Sequence, residues 1–328
     1  MKKALLVAVA GLLSACAPTQ TTFDFRVQPL ATDLGPHNDL MEWWYVSGFL
    51  PEEGLAFHWA QFQVRPPSLP LPFMVSHVAV TDLKTGKVTF IEQNPAIGSG
   101  SASFPPLRLT NGGWTFQQNG NVLDKNAFDL NAGPLNVRLT PQKGPVIHPP
   151  GYSGSAEVGA MYYQGITRLA LEGQINGRTV KGEAWLDHQW GNQIPGRAAL
   201  WDWVALQLAS GEDLMVYRMR TPQGKQVQLI GSIVDKAGVA RAATNLTLEP
   251  GRTWNGTDGR VYTLSWRIKA DEFDLNVDAV HDEQELLSRS TSVAYWEGPV
   301  KVSGTWRGQP ETGKGMMELV GGVLGGGR

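Results

Sequence analysis

The sequence predicts an all-β protein made of two antiparallel β-barrels in tandem. Three observations carry this. With 38 Gly and 21 Pro in 328 residues, the chain is cut by turn signals into many short segments, as all-β proteins are. Beyond the first residues no stretch keeps the 3.6-residue period of an amphipathic helix. Each half opens on a Trp-rich stretch, Glu42-Trp43-Trp44-Tyr45 and Trp201-Asp202-Trp203, followed by a hairpin turn and a run of short strands. A meander that closes on itself leaves no free edge, so barrels are expected rather than an open sheet. The length suits two domains of about 150 residues.

The first element stands outside the fold. Met1-Lys2-Lys3 is a basic start and Ala4 to Leu13 an apolar run, too short to span a bilayer. It ends in Leu13-Ser14-Ala15-Cys16, which resembles a bacterial lipobox. Residues 1–15 are therefore expected to be a lipoprotein signal peptide and Cys16 the lipidation site. Cys16 is the only cysteine, so no disulfide forms within the chain. The mature protein is expected in the cell envelope, outside the cytoplasm and anchored to a membrane through Cys16 rather than spanning it. Residues 16–40 would be the lipidated cysteine and a tether.

The N-terminal barrel is expected over 41–195. Met41 to Leu50 is aromatic on both faces, which suits a closed barrel or a domain interface. Pro51-Glu52-Glu53-Gly54 is a turn before a strand from Leu55 to Val64, and Phe73 to Leu83 pairs with Val88 to Gln93. Short strands follow at Leu107–Leu109, Gly113–Gln117, Phe128–Leu130 and Leu135–Leu139, and Gln142 to Ser155 reads as a Gly/Pro-rich loop. Met161–Glu172, Arg178–Lys181 and Gly182–Trp190 read as a three-strand meander. The C-terminal barrel is expected over 196–321, from Trp201–Leu208 through Leu214–Arg220, Tyr262–Ile268, Phe273–Val280, Val293–Trp296 and Val300–Thr305 to Met316–Val320; 322–328 is a tail.

The chemistry concentrates in Trp185-Leu186-Asp187-His188-Gln189-Trp190-Gly191. On a regular strand Asp187 and His188 point to opposite faces, so one pocket takes both only at a bulge or strand end. A carboxylic acid or imidazole in an apolar pocket has its pKa displaced and becomes an acid or base, and the faces of Trp185, Trp190 or Trp201 stabilise a cation. The same residues also serve as packing where two barrels meet. Trp43, Trp44, Tyr45 and Trp59 either line an apolar ligand cavity or fill a barrel. His58, His77 and Glu42 make at most a weak metal or acid-base cluster. The near-even charge, 28 basic against 30 acidic residues, offers no field for nucleic acid. There is no phosphate loop, dinucleotide fingerprint or HExxH motif, and no cofactor or metal is expected.

Glu42-Trp43-Trp44-Tyr45, the Trp185–Gly191 stretch, and Tyr295-Trp296-Glu297-Gly298 followed by Glu318-Leu319 resemble the AttH-like, carotenoid 1,2-hydratase-like family over about residues 40–321. The resemblance implies two lipocalin-like barrels packed on each other, with the Asp-His-x-Trp stretch near their interface. Members include hydratases that add water to an isoprenoid double bond. In that branch a His-x-Trp pair, here His188 and Trp190, is followed by a Tyr-x-Asp pair. Tyr217-Arg218-Met219 keeps its tyrosine and lacks its carboxylate, and Asp202 is a candidate replacement. The catalytic set implied is Asp187, His188, Trp190 and Tyr217, acting as a hydro-lyase on a hydrophobic isoprenoid-like ligand. The other expectations are a lipid carrier serving an ABC-type export system, as the AttH branch implies, and a structural envelope lipoprotein.

Overall fold

A computed structural model describes residues 26–30, 32–94, 97–120, 126–196 and 198–324; the signal peptide and Cys16 lie outside these. Among the described residues the regular structure is β-strand apart from two single-turn 3-10 helices, Pro51–Glu53 and Thr257–Gly259. None of it is a helix long and apolar enough to cross a membrane.

The first half contributes β1 (Met41–Leu50), β2 (Leu55–Val64), β3 (Phe73–Asp82), β4 (Val88–Gln93), β5 (Ser101–Ser103), β6 (Arg108–Asn111), β7 (Trp114–Gln118), β8 (Phe128–Ala132), β9 (Leu135–Pro141), β10 (Val146–Ser155), β11 (Gly159–Ile175) and β12 (Arg178–Gly191). The second contributes β13 (Leu200–Leu208), β14 (Asp213–Arg220), β15 (Gln226–Val234), β16 (Ala240–Ala242), β17 (Thr247–Pro250), β18 (Thr253–Asn255), β19 (Val261–Thr263), β20 (Ser265–Ala270), β21 (Phe273–Ala279), β22 (Glu285–Ser288), β23 (Val293–Trp306) and β24 (Gln309–Val323).

The two sheets share one topology. The first runs β4-β3-β2-β1-β12-β11-β9-β8-β7-β6-β5 with β10 beside β11, and the second β16-β15-β14-β13-β24-β23-β21-β20-β17 with β22 beside β23. In each half the first strand pairs with the last, and short strands curl away on both sides. The ladder does not close between the outer strands, so each half is a curled antiparallel sheet, a half-barrel. Side chains help close the gap in the first, where Asn111 of β6 donates to Ser76 of β3 at 2.8 Å.

Three apolar cores follow from strand alternation. One fills the first half-barrel with Trp44, Trp59, Phe116 and Phe128. A second fills the other with Trp266, Trp296 and Trp306. The third lies between the two sheets and joins Trp43, Tyr45 and Trp185 of the first to Trp201, Trp203, Tyr217 and Tyr295 of the second. This explains why β1 is aromatic on both sides: Trp44 faces a half-barrel interior while Trp43 and Tyr45 face the seam. A buried indole removes roughly 150–250 Å² from water, on the order of 4–6 kcal/mol of gross burial.

Polar contacts also cross the seam. The Lys143 ammonium meets Asp213 at 2.7 Å, and both side chains are almost fully buried. Arg168 reaches Asp213 across the seam at 2.7 Å and is held within its own sheet by Glu183 at 2.8 Å, and Thr167 donates to Asp213.

The structure corrects four expectations. Residues 32–40 are packed on the first half-barrel rather than forming a tether: Asp33 and Leu34 are buried, and the Leu34 carbonyl accepts from the Trp44 indole. The expected loop 142–155 contains β10, paired with β11 around an irregularity between Ile147 and Tyr152. Arg178–Lys181 and Gly182–Trp190 are one strand, because Gly182 is not a break. A Cβ there would lie 2.3 Å from Leu50 Cδ2, so the glycine admits Leu50 to the core. Likewise Val293–Trp296 and Val300–Thr305 are one strand that carries Pro299 opposite Met316.

Candidate active site

Between the sheets lies a cavity of about 100 Å³, walled by Trp43, Tyr45, Trp201, Trp203, Tyr217 and Tyr295 among others. Three carboxyl groups, Asp187, Glu297 and Glu318, line it together with His58 and His77. Strand register explains their arrival. Asp187 sits opposite Tyr45 in the β1/β12 ladder, and Glu318 holds the equivalent place opposite Trp203 in β13/β24. Trp43 and Trp201 correspond in the same way, as do Tyr163, opposite Gln189, and Tyr295, opposite Val320. The cavity is built twice over from the same positions of two similar sheets.

Asp187 is held by two donors. Tyr163 Oη donates to Oδ2 at 2.5 Å and Trp185 Nε1 to Oδ1 at 2.6 Å; Trp203 Nε1 donates in turn to Tyr163 Oη at 2.7 Å. Among the described residues no lysine or arginine lines the cavity to offset the buried charge. Burial pushes the Asp187 pKa up to about 7, against the pull of the Tyr163 and Trp185 hydrogen bonds. Glu318 accepts from Trp201 Nε1 at 3.2 Å. Burial raises its pKa to about 7 as well; the Trp201 bond opposes this and the Asp187 charge adds to it. Its accessible area, that of a half-buried residue, is cavity wall, and the protein mass around it governs its desolvation.

Glu297 accepts from Tyr45 Oη at 2.5 Å and lies 3.0 Å from His58 Nδ1. Burial, then the Glu318 charge, raise its pKa well above the carboxylate range. Burial, then the charge of His77, push His58 down to about 3, so this imidazole is neutral. Tyr45, Tyr163, Tyr217 and Tyr295 are all raised well above 10, by burial first. At neutral pH the cavity thus offers carboxylic acid protons beside aromatic faces, a pairing suited to protonating an apolar substrate.

The structure divides the residues singled out from sequence. Asp187, Tyr217, Trp43, Tyr45 and Trp201 line the cavity, and Trp185 lies behind it as a donor to Asp187. His188 and Trp190 do not line it, because β12 stays regular there and turns them to the other face. Trp44 and Trp59 are likewise in the half-barrel interior. Asp202 supplies no carboxyl to the cavity, since it points away from Trp201 and Trp203 and binds Arg218 and Arg220 at 2.6 and 3.0 Å. Glu297 and Glu318 were not singled out as acids, although both stand in motifs quoted for the resemblance; alternation with Tyr295 and Val320 is the signal that places them at the seam.

On the reverse face, His188 Nε2 lies 2.8 Å from Glu42 Oε1, and His37 Nδ1 lies 2.9 Å from the same oxygen. Glu42 therefore joins His37 and His188. His58 and His77 pair instead with Glu297 and Glu92.

A family model described as AttH-like matches residues 25–322. The fold is similar to that of a protein assigned as an AttH in Nitrosomonas europaea, with TM-score 0.77 and 27% identity over 94% of this chain and 100% of that one. It is also similar to kievitone hydratase of Nectria haematococca, with TM-score 0.66 and 18% identity over 94% and 96% of the two chains. CghA, solved with Sch210972, matches at TM-score 0.56 and 12% identity over 87% and 89%. No protein of curated function matches the sequence.

Proposed function

Because the chain belongs to the AttH-like family and has a lipocalin-like, hydratase-type fold, we propose that the seam cavity binds a hydrophobic alkene and adds water across its double bond. The observation that carries this reading is the set of three carboxyl groups set among aromatic rings with no lysine or arginine among the described lining residues. Asp187 is the proton donor. Its proton goes to one alkene carbon, and the cation left on the other is stabilised by the faces of Trp43, Trp201 and Trp203. Water attacks that carbon and gives its second proton to Glu318, which is partly ionised at neutral pH; Glu318 then loses a proton to solvent as Asp187 regains one, so one water is added overall. Tyr163 and Trp185 hold Asp187 and stabilise the carboxylate it becomes.

A cavity of about 100 Å³ is of the order that holds one small apolar molecule such as benzene, so it suits a short branched alkene such as a prenyl group rather than a whole polyene. The test is incubation of the mature protein with prenylated and isoprenoid alkenes, followed by mass spectrometry for the gain of one water. Absence of adduct from every alkene, or equal adduct from Asp187→Asn, would refute the reading. A carrier for an export system remains the second reading, favoured by the enclosed apolar wall. It predicts that ligand extracted from purified protein is chemically unchanged. On either reading we place the protein in the cell envelope with Cys16 lipidated, which metabolic labelling with a fatty acid checks against Cys16→Ser.

A further inference from the structure

We propose that His37, Glu42 and His188 form a binding site for one divalent transition ion of the zinc class. The site lies on the reverse of the cavity strand and is independent of the proposed hydration. One ligand atom from each residue lies within 4.8 Å of the others. Two imidazole nitrogens and a carboxylate oxygen form a donor set used by zinc sites that keep one position for water. Zinc-bound ligand atoms about 2.0–2.1 Å from the metal stand roughly 3.3 Å apart in a tetrahedron. Two separations, 2.8 Å between His188 Nε2 and Glu42 Oε1 and 2.9 Å between His37 Nδ1 and the same oxygen, need to open by about half an ångström, and the two imidazole nitrogens, within 4.8 Å of each other, need to settle at the same spacing.

The surroundings hold the ligands in orientation. Trp190 stacks on His37 with centroids 4.0 Å apart and planes 2° apart, and Trp44 stacks on His188 at 4.6 Å and 13°. The other carboxylate oxygen accepts from Gln63 Nε2 at 2.9 Å and from the His37 backbone N–H at 3.0 Å. These are the outer contacts that metal-bound carboxylates keep. Nδ1 of His188 is buried with no partner. With an ion on Nε2 the ring proton sits on Nδ1. His37 is partly exposed while Glu42 and His188 are buried, so an ion enters from the His37 side and takes its water there. Since His37 belongs to the 32–40 segment and the other two to β1 and β12, the ion clasps that segment onto the half-barrel.

The test uses untagged mature protein stripped with chelator and titrated with zinc, with cobalt as a spectroscopic probe. The expected result is one equivalent bound with micromolar or tighter Kd, a rise in Tm, and visible cobalt bands of a four-coordinate nitrogen and oxygen site. His37→Ala, at the exposed corner, weakens binding roughly 100-fold or more, and Gln63→Leu by about 10- to 100-fold, while near-ultraviolet circular dichroism stays native. Failure to bind zinc at micromolar concentration overturns the proposal. So does equal binding by His37→Ala, which places the ion elsewhere.

Discussion

Replacing Asp187 by Asn separates the two consequences of burying an acid without a cation. In the folded protein burial pushes its pKa up to about 7, against an ordinary 3.8. At 1.36 kcal/mol per tenfold change in proton affinity, this corresponds to roughly 4 kcal/mol of differential stability. The sign follows from proton uptake. Between the two values the folded state keeps a proton that the unfolded state has lost, so stability falls as pH rises from about 4 to about 7 and levels off above. Asp187→Asn cannot ionise and loses that part of the slope. It gives back about 1 kcal/mol, because its amide faces one of the two donors, Tyr163 or Trp185, that the carboxylate accepts from. The variant is therefore more stable than wild type at pH 8 by a few kcal/mol and similar or weaker at pH 4. Its hydration rate, if Asp187 is the general acid, falls by about 10²- to 10⁴-fold. Urea unfolding at a series of pH values measures the first and adduct formation the second. An unchanged pH slope in the variant would show that Asp187 is ionised in the fold and would remove the acid from the mechanism.

Two other perturbations follow from the same structure. Tyr163→Phe removes a hydrogen bond that lowers the Asp187 pKa, so the carboxyl titrates above its wild-type value; carbon-13 NMR of the labelled aspartate reports the shift, and a fall would contradict the assignment. Asp213→Ala leaves Lys143 buried without its carboxylate and costs about 3–5 kcal/mol in urea unfolding. A Lys143→Met, Asp213→Leu pair should recover only the part of that loss due to Lys143, since Arg168 and Thr167 still lack the carboxylate, and additive losses would show that the ion pair is not coupled.

The fold was legible where one residue type has one use. Turn pairs such as Asn176-Gly177 and the alternation of Phe273, Leu275 and Val277 against Asp274 and Asn276 locate strands directly. Residues with two uses were not. Gly182 and Pro299 looked like breaks and lie inside long strands, since a glycine also admits a neighbouring side chain and Pro299 falls between the stretch of β23 that pairs with β22, ending at Trp296, and the stretch that pairs with β21, starting at Val300. The opposite directions of Asp187 and His188 follow from period two. Their destinations do not, because one face leads to the seam and the other to a cluster completed by His37 from a segment resembling a linker. Glu297 and Glu318 were missed for a related reason. A lone acid in an apolar strand signals a buried carboxyl, but its partner in space is set by which strands face each other across the seam.

The duplicated ladder has a consequence for anything that enters the cavity. Equivalent positions give each sheet one acid, Asp187 or Glu318, and one tyrosine, Tyr163 or Tyr295. The position opposite the acid breaks the equivalence, being Gly165 in the first sheet and Glu297 in the second. A side chain at Gly165 has no room: its Cβ would lie 2.6 Å from His148 Nε2 and 2.9 Å from Asp187 Oδ1. One pole of the cavity thus carries a single acid and the other a pair beside His58. A ligand with two chemically alike ends meets two unlike poles, so it binds in one direction, and a prochiral double bond presents one face to Asp187. On the proposed hydration, a pseudo-twofold scaffold of this kind yields a product of single handedness.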